Sequence, residues 1–203
     1  MTARTTGEMG DLDPHRISPD EFCDRLFGYL ETAGQSTYDE AVTQLDHGLQ
    51  CAQLAEAAGF DAATQVAALL HDIGHLMLDE HDRQDDFLDR DQRHEIVGAH
   101  LLTRWFGAEV GAVVALHVPA KRYLVAVDAG YRGRLSPASL RSLEVQGGPM
   151  TDTEVARFEA LPHSRIAVEL RRWDDLGKVQ GQRVQPLEHW RPAIRAVLGG
   201  SAK

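Results

Sequence analysis

The stretch Val66-Ala67-Ala68-Leu69-Leu70-His71-Asp72-Ile73-Gly74-His75 joins an apolar run to two adjacent side chains that bind metals well. Asp61 stands at a helix N-cap position, and Ala62 to Leu70 reads as a short helix running into the His-Asp pair. Consecutive residues on a helix diverge by about 100°, so His71 and Asp72 cannot chelate one metal from mid-helix. At a helix end, just ahead of Gly74, they can, and a carboxylate has two oxygens to share between two metals.

Working outward, helical signals recur on both sides. Ser18-Pro19-Asp20-Glu21 is a helix start, and Phe22, Leu26 and Leu30 follow at helical spacing before Gly34. Thr37 opens a long helix through Val42, Leu45, Leu49 and Ala55 to Gly59. Residues 79–93 are a charged, Asp-rich loop. Helices resume over residues 93–106 and 109–118, and 121–127 is short and apolar. Ser136-Pro137 starts a helix to Val145, and the capping box Thr151 to Glu154 heads one to Leu161. Residues 163–176 and 187–198 complete the series. No alternating apolar run is long enough for a sheet, and no internal repeat is visible. The expected fold is all-α, a bundle of about nine helices. The expected organisation is a flexible N-terminal tail over residues 1–17 and one domain over 18–200.

Composition narrows the function. With 203 residues, 21 Lys and Arg stand against 31 Asp and Glu, a net charge of −10. That sign excludes a basic nucleic-acid binder. No apolar run approaches the ~18 residues of a membrane helix, and the polar N-terminus does not read as a signal peptide. Cys23 and Cys51 form neither a CxxC pair nor a disulfide framework, so a reducing cytoplasm is the expected location. Histidine is the unusual residue, with ten in the chain. Four residues join His71 and Asp72 as candidate ligands: His47 between Leu45 and Leu49, His94 ahead of Ile96-Val97, His117 after Val113 to Leu116, and Asp174 after Trp173. Each lies beside apolar residues, where an unpaired polar group is expensive. Ligands of these types suit Fe, Mn, Zn, Co or Ni alike. His15, His81, His100, His163 and His189 have no evident partner and read as ordinary surface or core residues.

The order His47, His71-Asp72, His94, His117, Asp174 resembles the HD-domain superfamily, which binds metals inside a helical bundle. The resemblance implies a two-metal site with Asp72 shared. His47, His71, Asp72 and Asp174 would hold one metal, and Asp72, His94 and His117 the other, which keeps open positions. Longer segments resemble the phosphonate-degrading, mixed-valent di-iron oxygenase branch of that superfamily: residues 40–52, 68–75, 94–99, 117–124, 143–150 and 171–175, and Gly177-Lys178. The resemblance spans residues 36–197. It implies two iron ions, Fe(II) and Fe(III), with O₂ as co-substrate. The implied reaction cleaves the C–P bond of a 1-hydroxyphosphonate, of 2-amino or 2-trimethylammonio ethyl type, to phosphate and glycine or glycine betaine. The implied partner is that small molecule, with no nucleic acid and no membrane; oligomeric state stays open.

The same resemblance assigns the surroundings. Glu40, seven residues before His47, would contact the substrate's amino end; its spacing from Thr37 also fits a capping box. The family's resting-state iron ligand is a Tyr at the position of Thr37, and here the tyrosine stands one residue later, as Tyr38. Lys121 follows His117 by one helical turn and Arg171 precedes Asp174 by three, so each faces its ligand's side and suits an anionic phosphonate. His75, four after His71, would hydrogen-bond the phosphonate, and Ser139, Ser142 and Gln146 would line the pocket. Arg122 is counted among the pocket cations as well. The rival is a metal-dependent HD phosphohydrolase, in which a metal-bridging water attacks phosphorus. A third reading is a non-catalytic HD module that binds a nucleotide or a partner.

Overall fold

The computed structural model describes residues 14–37, 41–78 and 91–200. Among these residues every regular element is helical. The α-helices are α1 (Pro19–Ala33), α2 (Gln44–Ala57), α3 (Ala62–Leu70), α4 (Ile73–Met77), α5 (His94–Phe106), α6 (Ala108–Ala115), α7 (His117–Val127), α8 (Pro137–Val145), α9 (Asp152–Glu159), α10 (Ser164–Leu176) and α11 (Arg191–Gly200). Two 3₁₀ turns, Arg132–Arg134 and Leu187–Trp190, lie between them. The all-α expectation holds, and Glu40, Tyr38, His81 and residues 1–13 of the expected tail lie outside the described residues. No single described helix is long and apolar enough to cross a membrane.

The caps read from sequence are in place. Ser18, Asp61 and Ser136 each accept a hydrogen bond from the backbone N–H three residues on. Thr151 and Glu154 close a full capping box.

Among the described residues eleven helices stand where about nine were expected, and two boundaries moved for identifiable reasons. The helix expected from Thr37 begins at Gln44, capped by Thr43, whose side chain accepts from Asp46 N. Gln44 N and Leu45 N instead bond back to the carbonyls of Ser36 and Gly34, which turns the chain before the helix. The helix expected over 109–118 breaks at Leu116, so His117 opens α7 rather than closing α6. Pro119 explains the break. It has no N–H for the Ala115 carbonyl and is tolerated only in a first helical turn. The short apolar segment 121–127 is the rest of α7.

Helix α3 sits at the centre, packed by α2, α6, α10 and α11. Val66, Ala67, Ala68, Leu69 and Leu70 are all buried, which is why its sequence is apolar around the whole circumference. Burying each Leu or Val contributes about 1.5–3 kcal/mol. The main core continues through Phe22, Leu26, Leu102, Trp105, Leu170, Trp190 and Ile194, with Phe22 edge-on to Trp105 at 4.9 Å. Smaller clusters around Leu124, Tyr131 and Leu143, and around Ala120, Phe158 and Ala167, hold α7 to α10.

One glycine sets the distance between α4 and α5. A Cβ on Gly74 would overlap the carbonyl oxygen of His94. Gly74→Ala is therefore expected to destabilise the fold by about 1–3 kcal/mol or more, because backbone rather than a flexible side chain must yield. A thermal melt that matches the parent protein would contradict this contact.

Candidate metal centre and anion cavity

The six candidate ligands converge from four helices and from the turn between α3 and α4, most of them at helix ends. His71 is the C-cap of α3 and Asp72 the N-cap of α4, so the chain turns between them and both side chains point to one place. His94 and His117 are the first residues of α5 and α7, and Asp174 lies in the last turn of α10. His47 occupies the first turn of α2.

Two pairs of imidazoles face each other. His47 Nε2 and His71 Nε2 are 3.2 Å apart, and His94 Nε2 and His117 Nε2 are also 3.2 Å apart. Asp72 stands between the pairs. Its Oδ1 lies 3.5 Å from His71, 3.7 Å from His94 and 3.6 Å from His117, and its Oδ2 lies 3.6 Å from His47. Asp174 joins the first pair at 3.4 Å from His47 and 4.0 Å from His71.

The tautomers make the arrangement a fit for metal. His47 Nδ1–H donates to Gly177 O at 2.8 Å, His71 Nδ1–H to Ala68 O at 2.9 Å, and His117 Nδ1–H to Val114 O at 2.7 Å. A carbonyl only accepts, so these Nδ1 atoms carry the protons and each Nε2 presents a lone pair. With both rings neutral, the lone pairs of His47 and His71 oppose each other across 3.2 Å, a conflict that a proton on His47 relieves in the metal-free protein. A cation between them resolves the conflict. For metal–nitrogen bonds of about 2.0–2.1 Å, that separation corresponds to a ligand–metal–ligand angle of about 100°. The groups Asp72, His94, His117 and His47, Cys51, His71 can each hold an ion. Cys51 Sγ lies 3.8 Å from His47 Nδ1, the protonated nitrogen, and donates to Trp173 O at 3.4 Å, so its thiol packs behind the imidazole.

Electrostatics follow burial. Burial pushes His117 down to about 4, aided by His71. Burial also lowers His71, and lowers His94 strongly, with His75 and His117 adding to the effect on His94. For His47 burial opposes the cation, but Cys51 and Asp174 outweigh it and raise the imidazole well above its usual range. Burial disfavours the Asp72 and Asp174 carboxylates, but His71 beside the first and Arg171 beside the second hold both well below the carboxylate range.

A lowered folded-state pKa means that unfolding takes up protons. His71, His94 and His117 therefore contribute stability that is full above their unfolded value of about 6.5 and lost as pH falls towards about 4. His47 has the opposite sign and works against them. The metal-free protein is expected to melt at progressively lower temperature between about pH 6.5 and 4, and the loaded protein to release metal over the same range, since a ligand imidazole must be neutral. Rising stability across that range would contradict the burial argument.

A cavity of about 80 Å³ opens beside the cluster. His75, Lys121, Ser139, Ser142, Gln146 and Arg171, all expected from sequence, line it together with His47, Asp72, His94, His117 and Asp174. His75 stacks on His94 with ring centroids 3.6 Å apart. Lys121 is 2% exposed and donates to Ser142 Oγ at 2.8 Å; burial, then Arg171, pull its ammonium down to about 7. Ser142 Oγ in turn donates to Ser139 O.

Arg171 is placed differently from a free phosphonate clamp. Its guanidinium donates to Asp174 Oδ2 at 2.6 Å, to Asp175, to Tyr131 OH at 3.0 Å and to Ser139 Oγ at 3.4 Å. Tyr131 OH completes the ring by donating to Asp175. Little of the guanidinium fork is left for an anion. Arg122 is not in the cavity lining: it donates to Gly148 O and pairs with Glu154, each at 2.8 Å, and so anchors the capping box of α9. One residue beyond Lys121, it points about 100° away around α7. Sequence reasoning gave no role to Tyr131 or Lys178, both in loops where periodicity carries no information. Lys178 lines the cavity, 3.6 Å from Asp174 Oδ1 and 3.5 Å from Ser139 Oγ. Its one sequence cue is a spacing of four from Asp174, just past the helix end.

The HD-domain family profile matches residues 45–146, a span that contains His47, His71, Asp72, His94 and His117. The chain belongs to the HD-domain family, in its phosphonate-oxygenase branch. It is 50% identical over 181 residues, 89% of this chain and 90% of the relative, to hydroxymethylphosphonate dioxygenase of Gimesia maris. It is 34% identical over 196 residues, 94% of this chain and 97% of the relative, to the glycine-betaine-forming [1-hydroxy-2-(trimethylamino)ethyl]phosphonate dioxygenase of Leisingera caerulea. Both alignments extend past the family profile through α10, which carries Asp174 in this HD-domain chain.

Proposed function

We propose that this HD-domain protein is an O₂-dependent oxygenase that cleaves the C–P bond of a small 1-hydroxyphosphonate. Hydroxymethylphosphonate is the substrate we favour. The observation that carries the reading is the pair of histidine nests joined by Asp72 beside a cavity lined by buried Lys121 and by Lys178. A dianion with an adjacent hydroxyl suits that combination. Its phosphonate would meet the ammonium groups, and the metals held by the two nests would take its oxygens as ligands.

His47, His71, Asp72 and Asp174 would hold one iron. Asp72, His94 and His117 would hold the second, and three protein ligands leave that metal room for substrate and O₂. The two irons, Fe(II) and Fe(III), would supply O₂ activation and charge stabilisation. The protein's own work is positioning. Arg171 fixes Asp174, the Gly177 carbonyl fixes His47, and Lys121, with Ser142 behind it, holds the phosphonate. His75, Ser139 and Gln146 complete its polar wall. The overall reaction balances without another reductant: R–CH(OH)–PO₃H₂ plus O₂ gives R–COOH and H₃PO₄, with the four electrons coming from the substrate carbon. The rival hydrolase would use the same ligands with redox-inert metals and no O₂.

The greater similarity to the hydroxymethylphosphonate enzyme favours R as hydrogen, with formate as product. Glu40 is the group we assign to a cationic tail, with Tyr38 as resting ligand of the open iron. The test is kcat/KM across hydroxymethylphosphonate and its 2-amino and 2-trimethylammonio ethyl relatives, in the parent protein and in Glu40→Gln. The expected result is highest kcat/KM for hydroxymethylphosphonate, unchanged in the variant. A preference for a cationic tail that Glu40→Gln abolishes would reverse the substrate assignment and leave the reaction class intact.

A further inference from the structure

Three of the four site imidazoles are fixed through Nδ1 by a backbone carbonyl. His71 and His117 use the carbonyl three residues earlier, supplied by the last turn of the helix that runs into them. Among the described residues no carbonyl accepts from His94 Nδ1. His94 opens α5, and Arg93 before it is left-handed, at φ 55°, so no helical turn precedes it. Its Nδ1 lies 3.9 Å from Glu95 Oε2. Glu95 is 5% exposed, and that same Oε2 is buried without a hydrogen-bond partner. Among the described residues one imidazole lacks its acceptor, and an acceptor lacking its donor lies beside it.

We propose that Glu95 is the positioning residue of His94, accepting its Nδ1–H once metal is bound. Closing the gap from 3.9 Å to hydrogen-bonding distance takes about 1 Å of side-chain movement. The inference rests on the two-metal reading of the site and adds an asymmetry to it. The metal held by His47, His71 and Asp174 would have imidazoles oriented by neutral carbonyls. The open metal would have one imidazole backed by a carboxylate, which makes that ligand a stronger electron donor. Asp91, Arg93 and His75 are the other charged or titratable groups near Glu95, and Arg93 is exposed.

Burial without a partner is costly for a carboxylate, so Glu95 works against the metal-free fold. This gives the test two signs. Full-length Glu95→Leu and Glu95→Gln are compared with the parent by anaerobic titration with Fe(II), which resolves two binding steps, and by thermal melts of the metal-free proteins. In Glu95→Leu the expected results are a second binding step 10- to 100-fold weaker, an unchanged first step, and a metal-free melting temperature equal to or above the parent's. Glu95→Gln keeps an acceptor oxygen and is expected to weaken the second step less. Parent-like affinity at both steps in both variants would overturn the proposal. So would equal weakening of both steps with a lower metal-free melting temperature, the mark of a merely structural residue. If the parent itself binds one iron, the two-metal reading fails, and the inference with it.

Discussion

Asp72→Ala is expected to leave the protein folded, to remove the open metal and to weaken the other. Asp72 faces His94 and His117 with one oxygen and His47 with the other, so its loss subtracts a ligand from both nests. The open nest then retains two imidazoles and the other retains His47, His71 and Asp174. Iron analysis after gel filtration should give about one iron or less per chain, with turnover reduced on the order of 10³-fold or more. The imidazoles around Asp72 hold its carboxylate well below the usual range, so the variant is also expected to melt at a lower temperature without metal. Two irons in a folded Asp72→Ala protein would show that the carboxylate does not join the nests.

The second large effect separates the two buried cations of the cavity, which the sequence places in one class. Lys121 is desolvated, and its closest hydrogen bond is to a neutral hydroxyl, Ser142 Oγ. Lys121→Met is expected to lower kcat/KM for the phosphonate by roughly 30- to 3,000-fold, the range for losing one partner of a buried charge pair, mostly through KM. Iron content should stay at the parent level. The metal-free protein should melt no lower, since a buried ammonium whose pKa has fallen to about 7 costs stability at neutral pH. Arg171→Met should behave in the opposite way. It frees Asp174, Asp175 and Tyr131 from their common donor, leaves buried carboxylates unpaired and costs about 3–5 kcal/mol of stability. Its first consequence is poor iron retention rather than a raised KM. Identical phenotypes for the two variants would mean that both cations serve the substrate alike.

The metal cluster is the most legible part of the sequence. His47, His71, His94, His117 and Asp174 are buried on helices whose neighbours are apolar, and Asp72 lies in the turn between α3 and α4. Burial without a reason is expensive, so each polar residue among apolar ones carried information. The caps at Ser18, Asp61, Ser136 and Thr151 were legible because capping is local. What sequence reasoning lost was set at longer range or by a signal left unused. Pro119 contained the break at Leu116, but the apolar run Val113 to Leu116 masked it. Thr43 displaced Thr37 as the cap of α2 because backbone bonds to Gly34 and Ser36 turn the chain between them. Arg122 and Lys121 differ by one residue and by opposite partners, Glu154 and the cavity, which only the docking of α9 on α7 decides. Tyr131 and Lys178 come from loops and became visible only through the side chains they meet. Glu95 sits next to a ligand in sequence, yet only its burial without a partner marks it.

The central claim is that this site uses O₂ to break a C–P bond rather than water to hydrolyse a phosphoester. The most direct measurement is phosphate release and O₂ uptake followed together on iron-loaded protein with hydroxymethylphosphonate. The expected result is one phosphate and one formate per O₂ consumed, no phosphate under strict anaerobiosis, and none from protein loaded with Zn(II). Phosphate release that persists without O₂, or that Zn(II)- or Mn(II)-loaded protein sustains on a phosphomonoester, would contradict it.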